Sequence, residues 1–215
     1  MVKEDVMSHK LIAVGAAILC LLAIPFPAAA VDPMETIKKP IDDVIAILND
    51  PQYKAPDAHA AQREAIWKTV KPMFDFTEIS MRAVARYWRT FSAKEKTDFV
   101  DVFAQFLGNT YIDKIQGEYH NEKIVYLDQE LYQDRYAEVR TKILRESVEI
   151  PVNYRLIKEG GGLWKVYDII VEGVSLVGNY RTQFASILEK ESPTQLIQLL
   201  NDKLKQQDKR LTDNG

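Results

Sequence analysis

The sequence predicts an α+β fold in which N-terminal helices, a four-stranded antiparallel sheet and C-terminal helices form one domain. Apolar residues recur at helical spacing up to about residue 119, alternate with a period of two from 122 to 171, and return to helical spacing after Ser175. Short connections between the consecutive strands favour an antiparallel meander. Because both faces of the last strand are apolar near its C-terminal end, we expect helices to cover the sheet there.

Residues 1–30 are predicted to be a signal peptide. An uninterrupted apolar run from Leu11 to Ile24 is too short to cross a bilayer comfortably. Ala28-x-Ala30 follows it and has the small-residue pattern of a cleavage site, which places the mature start at residue 31. An uncleaved anchor is the alternative, because Glu4 and Asp5 weaken the positive charge before the apolar run.

Charge and cysteine content exclude several classes of protein. The formal net charge is −3, which argues against nucleic acid as a partner and against a polybasic membrane-binding patch. Cys20 is the only cysteine and lies in the apolar run, so no disulfide, thiol chemistry or cysteine metal site is expected beyond it. We assign 31–207 to a single domain and 208–215 to a polar tail, and we expect a monomer that is exported to an extracytoplasmic space.

Four helices are predicted before the sheet, at about 33–49, 58–73, 76–88 and 93–119, with Pro40 kinking or restarting the first. Each begins with a capping residue, and Ser92-Ala-Lys-Glu95 is the clearest capping box. The caps are Asp32, Asp57, Asp75 and Ser92. The inward stripes are Ile37, Ile41, Val44, Ile45 and Leu48; Ala61, Ile66, Val70 and Met73; Ile79, Ala83, Val84, Tyr87 and Trp88; and Phe99, Val102, Phe103, Phe106, Leu107, Tyr111 and Ile115.

Four strands follow, at about 122–132, 136–145, 150–157 and 163–171. In the last strand, Trp164, Val166, Asp168 and Ile170 are predicted to share one face. A sharp turn containing Gly173 and Ser175 then leads into a helix that carries Val177, Tyr180 and Phe184. A final helix opens at Ser192 and presents Leu196, Leu199, Leu200 and Leu204.

No catalytic, cofactor-binding or metal-binding motif is present in the sequence. It lacks a glycine-rich phosphate loop, H-E-x-x-H and G-x-S-x-G. His59 and His120 fall near predicted helix ends, where solvated histidines are expected. The sequence therefore favours a protein that is not an enzyme and needs no cofactor.

Asp168 is the sharpest exception to the apolar pattern of the last strand. One interpretation is a general base in an apolar pocket, its pKa raised by burial. The favoured interpretation is a local acceptor that clamps the following turn through backbone N–H groups or Ser175.

Arg82, Arg86 and Arg89 are predicted to lie on one helical face, at spacings of four and three. They could form a site for a phosphate group or an acidic partner. The alternative is a solvated face on which Glu78 supports Arg82.

A large apolar interior is the remaining candidate site. Its size fits either a solid core or a lined cavity, and residue pattern does not separate the two. The candidate lining residues are Trp88, Phe99, Phe103, Phe106, Tyr111, Tyr126, Val139, Val152, Tyr154, Trp164, Val166 and Phe184.

The segment W-K-V-Y-D-I-I-V-E-G-V-S-L-V-x-N-Y-R-x-Q-F, from Trp164 to Phe184, resembles the signature of the MlaC (toluene-tolerance) family. Phe74-Asp-Phe, Y-W-R-x-F-S-x-x-E-K from Tyr87, and F-x-x-x-F-x-x-x-L-x-x-x-Y from Phe99 resemble the helical half of the same family. The resemblance spans nearly all of the chain after residue 30.

This resemblance implies a soluble periplasmic phospholipid carrier with no enzymatic activity. It implies acyl chains in an apolar cavity between sheet and helices, with the headgroup towards solvent, and makes Arg82, Arg86 and Arg89 candidates for headgroup or partner contacts. It also implies exchange between an outer-membrane lipoprotein complex and the lipid-binding component of an inner-membrane ABC transporter. A hopanoid or another amphipathic lipid is an alternative cargo. A small enzyme with a cone-shaped fold and Asp168 as its base, and a structural module with a solid core, are the alternatives from other classes. The enzyme alternative requires an Asp168 that binds no backbone amide.

Overall fold

The computed structural model describes residues 32–146 and 148–213, and the predicted signal peptide lies outside them. The helices are α1 (Pro33–Asn49), α2 (His59–Val70), α3 (Phe76–Val84), α4 (Ala93–Glu118), α5 (Leu176–Leu188) and α6 (Pro193–Asp213). The strands are β1 (Lys123–Tyr132), β2 (Tyr136–Arg145), β3 (Val148–Lys158), β4 (Trp164–Val171) and β5 (Val174–Ser175). The α+β class and the antiparallel order are confirmed, and the sheet gains a fifth, two-residue strand.

Local capping chemistry sets three of the predicted helix starts. The Met34 amide donates to Asp32 at 3.0 Å, and the Glu78 amide donates to Asp75 at 2.8 Å. At Ser92 both halves of the capping box form, because its amide donates to the Glu95 carboxylate while its hydroxyl accepts from the Glu95 amide. These side chains satisfy amide groups that have no acceptor within the helix.

The second predicted helix differs from the structure at both ends. A short 3-10 helix, Pro56–Ala58, precedes α2, so the cap position falls on Ala58 and Asp57 provides no side-chain cap. Another, Lys71–Met73, follows α2 because Pro72 has no amide hydrogen to continue the helical ladder. Ala61 is exposed rather than inward, and Gln62 takes the buried position.

The third predicted helix is too long by one turn. It ends at Val84, because Ala85 adopts a positive φ of 48° and the chain continues as the 3-10 helix Ala85–Thr90. In α4, the predicted inward Ile115 is 40% exposed and Ile112 is buried instead. α1 runs without a break through Pro40, and α6 continues through residues 208–213.

The five strands pair in sequence order, each antiparallel to the next. A bulge at Tyr167 shifts the β3–β4 register, so that Val166 pairs with Leu156 and Asp168 pairs with Arg155. The predicted common face of Trp164, Val166, Asp168 and Ile170 is therefore wrong. Val166 and Ile169 share one face, and Asp168 and Ile170 share the opposite face.

Helices cover the sheet unequally. α1 packs on one face of the sheet, α5 and α3 pack at β4, and α6 lies along α4. A parallel bridge between Phe74 and Val166, with the Asp75 amide donating to the Val166 carbonyl at 3.0 Å, attaches the start of α3 to the β4 edge. No helix in the described ranges is long and apolar enough to cross a membrane.

Candidate functional site

Asp168 is buried, with 6% of its surface exposed, and both of its carboxylate oxygens accept hydrogen bonds. The Val177 amide donates to Oδ1 at 3.0 Å, and the Ser175 hydroxyl donates to Oδ2 at 2.6 Å. Ser175 in turn caps α5 by accepting from the Gly178 amide at 2.9 Å. Glu172 and Gly173 turn the chain between β4 and β5 with positive φ angles, which brings α5 back over Asp168.

This geometry is that of a structural clamp. One hydrogen bond to each oxygen, a guanidinium nitrogen of Arg155 3.8 Å from Oδ2, and the burial of the side chain direct the carboxylate of Asp168 to neighbouring protein groups. The enzyme alternative required an Asp168 that binds no backbone amide, so the hydrogen bond from Val177 contradicts it. Within residues 32–146 and 148–213, no cluster of histidine, aspartate and glutamate is suited to holding a metal ion.

The three arginines do not form one helical face, because α3 ends before two of them. Arg82 is partly buried, pairs with Glu78 at 2.6 Å and stacks over the Tyr167 ring at 4.2 Å. Arg86 and Arg89 lie beyond the positive-φ residue and are exposed. Arg86 donates to the Tyr87 hydroxyl at 2.8 Å and lies 3.7 Å from the Glu189 carboxylate at the surface.

Buried apolar residues form three clusters within the described ranges, and two of these, the sheet-side and the helical compartments, contain the candidate lining residues. The sheet-side cluster lies between α1, the end of α2 and the sheet, and consists of Ile37, Met73, Ala137, Val139, Leu156, Trp164 and Val166. The helical cluster lies among α3, α4, α5 and α6. Its aromatic rings are in direct contact, with Phe103 5.5 Å from Phe99 and 5.1 Å from Phe184.

The candidate lining residues split between the compartments. Trp88, Phe99, Phe103, Phe106, Tyr111 and Phe184 belong to or pack against the helical cluster. Tyr126, Val139, Tyr154, Trp164 and Val166 belong to or pack against the sheet-side cluster, and Val152 is buried on the same sheet face. Ala137 and Leu156 were missed, although they alternate with named residues and the period of two could have found them.

Hydroxyl groups line part of the sheet-side compartment. The Tyr126 hydroxyl donates to Asp42 of α1 at 2.8 Å, and burial together with this carboxylate raises the pKa of Tyr126 above its usual range. Burial also raises the pKa of Tyr154 to about 12, against the weaker influence of its hydrogen bond with Thr141. Both hydroxyl groups therefore remain protonated over the physiological pH range.

A recess of about 220 Å³ opens from the surface onto this compartment. Thr36 and Pro40 of α1 form one side, and Pro72 and Met73 form another. Leu163, which precedes β4, and the first two residues of that strand, Trp164 and Lys165, close the recess. No residue pattern predicts this site, because α1 and β4 meet only through the tertiary fold.

These features define an α+β protein whose candidate site is an apolar interior rather than a set of catalytic groups. Residues 38–202 match the family model described as MlaC protein. The chain therefore belongs to the MlaC family, and the resemblance inferred from its sequence is confirmed.

Named relatives agree with this assignment. The intermembrane phospholipid transport system binding protein MlaC of Haemophilus influenzae is 22% identical over 173 residues, which cover 79% of this chain and 80% of the relative. Toluene tolerance protein ttg2D of Pseudomonas putida is 27% identical over 184 residues, covering 80% and 81%. A phospholipid-binding protein from Ralstonia solanacearum, solved in complex with a phospholipid, is 25% identical with a TM-score of 0.70, covering 83% of this chain and 99% of that one.

Proposed function

We propose that this protein is a periplasmic carrier that binds a phospholipid by its acyl chains in the sheet-side compartment. The observation that carries the proposal is a buried apolar compartment that reaches the surface through a recess. Membership of the MlaC family and the phospholipid complex of the Ralstonia solanacearum protein support it. The predicted signal peptide supports a periplasmic location.

Acyl chains need such a compartment to pass through water. Each methylene group exposed to water costs about 0.8 kcal/mol, so a lipid with two long chains leaves a bilayer only for an equally apolar interior. The compartment supplies this environment through Val139, Leu156, Trp164 and Val166, all of which are buried. The headgroup remains at the surface, where it keeps its contact with water.

Lipid binding has to enlarge the compartment. The recess holds about 220 Å³, whereas pockets for drug-sized ligands measure about 300–1,000 Å³. Polar contacts between α1 and β1 include the Met34 amide donating to Gln129 at 2.7 Å and the Tyr126 hydroxyl donating to Asp42. We infer that α1 moves away from the sheet to admit the chains, because hydrogen bonds at a solvent-accessible seam are readily exchanged for water.

The helical cluster serves as the rigid wall in this proposal. Phe184 packs edge to face against Phe99 and Phe103, at 5.7 and 5.1 Å, and Tyr180 packs edge to face against Phe103 at 5.1 Å. Displacing them would forfeit many close contacts at once. The chains therefore contact the sheet-side candidates, and Phe99, Phe103 and Phe184 hold the fold behind them.

Partner complexes at the two membranes complete the proposal. We propose that the carrier exchanges lipid with an outer-membrane lipoprotein complex and with the lipid-binding component of an inner-membrane ABC transporter. Arg86 and Arg89 are exposed beside the partly buried Tyr87 and Trp88, and this combination suits an acidic partner surface. We assign no headgroup contact to Arg82, because its guanidinium is paired with Glu78.

Native mass spectrometry and lipid extraction of the protein purified from periplasm test the carrier function. We expect about one phospholipid per chain, retained under gentle ionisation and identified in the extract. Recovery of a hopanoid instead would assign a different cargo to the same compartment. Protein that is reproducibly lipid-free, and that takes up no lipid from vesicles, contradicts the proposal.

A matched pair of substitutions tests the compartment. Ala137 in the sheet-side cluster and Ala83 in the helical cluster are both fully buried. Ala137→Leu and Ala83→Leu add the same volume, and each should cost about 1–3 kcal/mol in stability. Only Ala137→Leu should reduce the bound lipid per folded chain, and an equal reduction in both variants would contradict the assignment of the sheet-side compartment.

A further inference from the structure

We propose that the lipid enters and leaves through the recess between α1, the Lys71–Met73 turn and the start of β4, and that Lys165 binds its phosphate there. This inference rests on the proposed carrier function and deepens it. It assigns a position to the headgroup and a route to the chains.

The floor of the recess belongs to the compartment proposed for the chains. Trp164 and Met73 line the recess, and both are members of the sheet-side cluster with 4% and 6% of their surfaces exposed. A chain that displaced these two side chains would lie directly against Val166 and Ile37. The recess is thus the outer end of the apolar interior.

The rim of the recess exposes apolar surface, and the part of the rim that α1 forms lacks one helical hydrogen bond. Leu163 is 48% exposed beside the recess, where it offers apolar surface to a passing chain. Pro40 has no backbone N–H, so the carbonyl of Thr36 lacks the donor that an α-helix normally supplies. Thr36 and Pro40 both line the recess. The free-energy cost of moving α1 away from the sheet is therefore lower there than elsewhere along the helix.

Lys165 supplies the charge that a phosphate needs. It is the one charged side chain among the described residues that line the recess. Its ammonium donates to the backbone carbonyl of Pro72 at the rim. A phosphate oxygen is a stronger acceptor than a neutral carbonyl, so an arriving headgroup can take over this donor.

Labelling of matched cysteines tests the entrance. Leu163 and Leu127 are almost equally exposed, at 48% and 47%, but Leu127 lies on β1 at the opposite edge of the sheet. Each is replaced by cysteine in a Cys20→Ser background and labelled with a sulfonate-bearing methanethiosulfonate. Uptake of pyrene-labelled phosphatidylglycerol from phosphatidylcholine vesicles should slow about tenfold for labelled Leu163→Cys and remain unchanged for labelled Leu127→Cys, because the chains would have to pass a charged group.

The outcomes separate the entrance from the carrier function. If both labels slow uptake equally, or if neither label slows it, the proposed entrance is wrong. The carrier function still stands in that case, provided that the unlabelled protein takes up lipid. Absence of uptake by the unlabelled protein overturns the proposed function itself.

Substitution of Lys165 tests the phosphate contact. Lys165→Gln should raise the Kd for phosphatidylglycerol about threefold to tenfold, and should leave the Kd for a diacylglycerol with the same chains unchanged. Lys123→Gln removes an exposed lysine on β1 and serves as the control. Equal Kd changes for both lipids, or no change for either, overturn the assignment of Lys165.

Discussion

Asp168→Ala should destabilise the fold by about 2–4 kcal/mol. The substitution removes the acceptor of the buried Val177 amide and the acceptor of the Ser175 hydroxyl. Each buried group left without a partner costs about 1–3 kcal/mol, and Ser175 falls at the lower end because it is only partly buried. For a chain of 150–250 residues, about 2–4 °C per kcal/mol converts this loss into a fall in Tm of about 4–16 °C.

Urea unfolding followed by circular dichroism measures the loss, and lipid content is measured on the folded fraction. Asp128→Ala is the control, since its pair with Arg140 is exposed and should contribute less than about 1 kcal/mol. Asp168→Asn keeps one carbonyl acceptor and should fall between Asp168→Ala and the unsubstituted protein. Unchanged stability of Asp168→Ala together with a loss of function would refute the clamp and restore a chemical role for the carboxylate.

Packing and charge provide further predictions. A Cβ at Gly108 would lie 2.8 Å from the Trp67 ring, so Gly108→Ala should lose about 1 kcal/mol in urea unfolding. In the same helix nothing lies near a Cβ at Gly117, and Gly117→Ala should gain up to about 1 kcal/mol; a gain at both positions would contradict the contact with Trp67. Burial works to raise the pKa of Glu122, but hydrogen bonds from backbone amides and from Arg145 outweigh it and hold the pKa below its usual range. The ionised carboxylate of Glu122 therefore stabilises the fold above pH 4.5, and this stabilisation is lost as pH falls through the lower folded-state pKa. Glu122→Gln should therefore make stability fall less steeply with decreasing pH. An unchanged dependence at acid pH would contradict this linkage.

Sequence patterns predicted the features that depend on neighbouring residues in the chain. The capping box at Ser92 needs only Glu95 three residues later, and the structure contains both of its bonds. β2 occupies the predicted residues 136–145, because alternation and the flanking turns mark both of its ends. The family signature from Trp164 to Phe184 is likewise a pattern of residues that are close together in the chain.

Features that depend on tertiary packing could not be predicted in this way. Helical spacing continues from Arg82 through Arg89, yet the positive φ of Ala85 ends α3 between them. Nothing about alanine signals that conformation, which the surrounding packing imposes. Ile112 and Ile115 differ by one turn of the same helix, and only their neighbours decide that Ile112 is the buried one.

The candidate site was predicted in its composition and not in its arrangement. The aromatic and aliphatic residues of the interior were identified, but their division between two compartments was not. The sequence pattern predicts Phe99 and Trp164 equally well as lining residues. Only the fold places Phe99 in the helical cluster and Trp164 in the sheet-side cluster.

The bulge at Tyr167 changes, partway along β4, which residues of the strand face α1. Before the bulge, even-numbered residues such as Val166 face α1; after it, odd-numbered residues such as Ile169 do so. Without this change of phase, the carboxylate of Asp168 would point among the apolar side chains proposed to surround the lipid, and its bonds to Val177 and Ser175 could not form. A single inserted residue thus lets one eight-residue strand present a dry surface to its cargo and a polar anchor to the helix behind it.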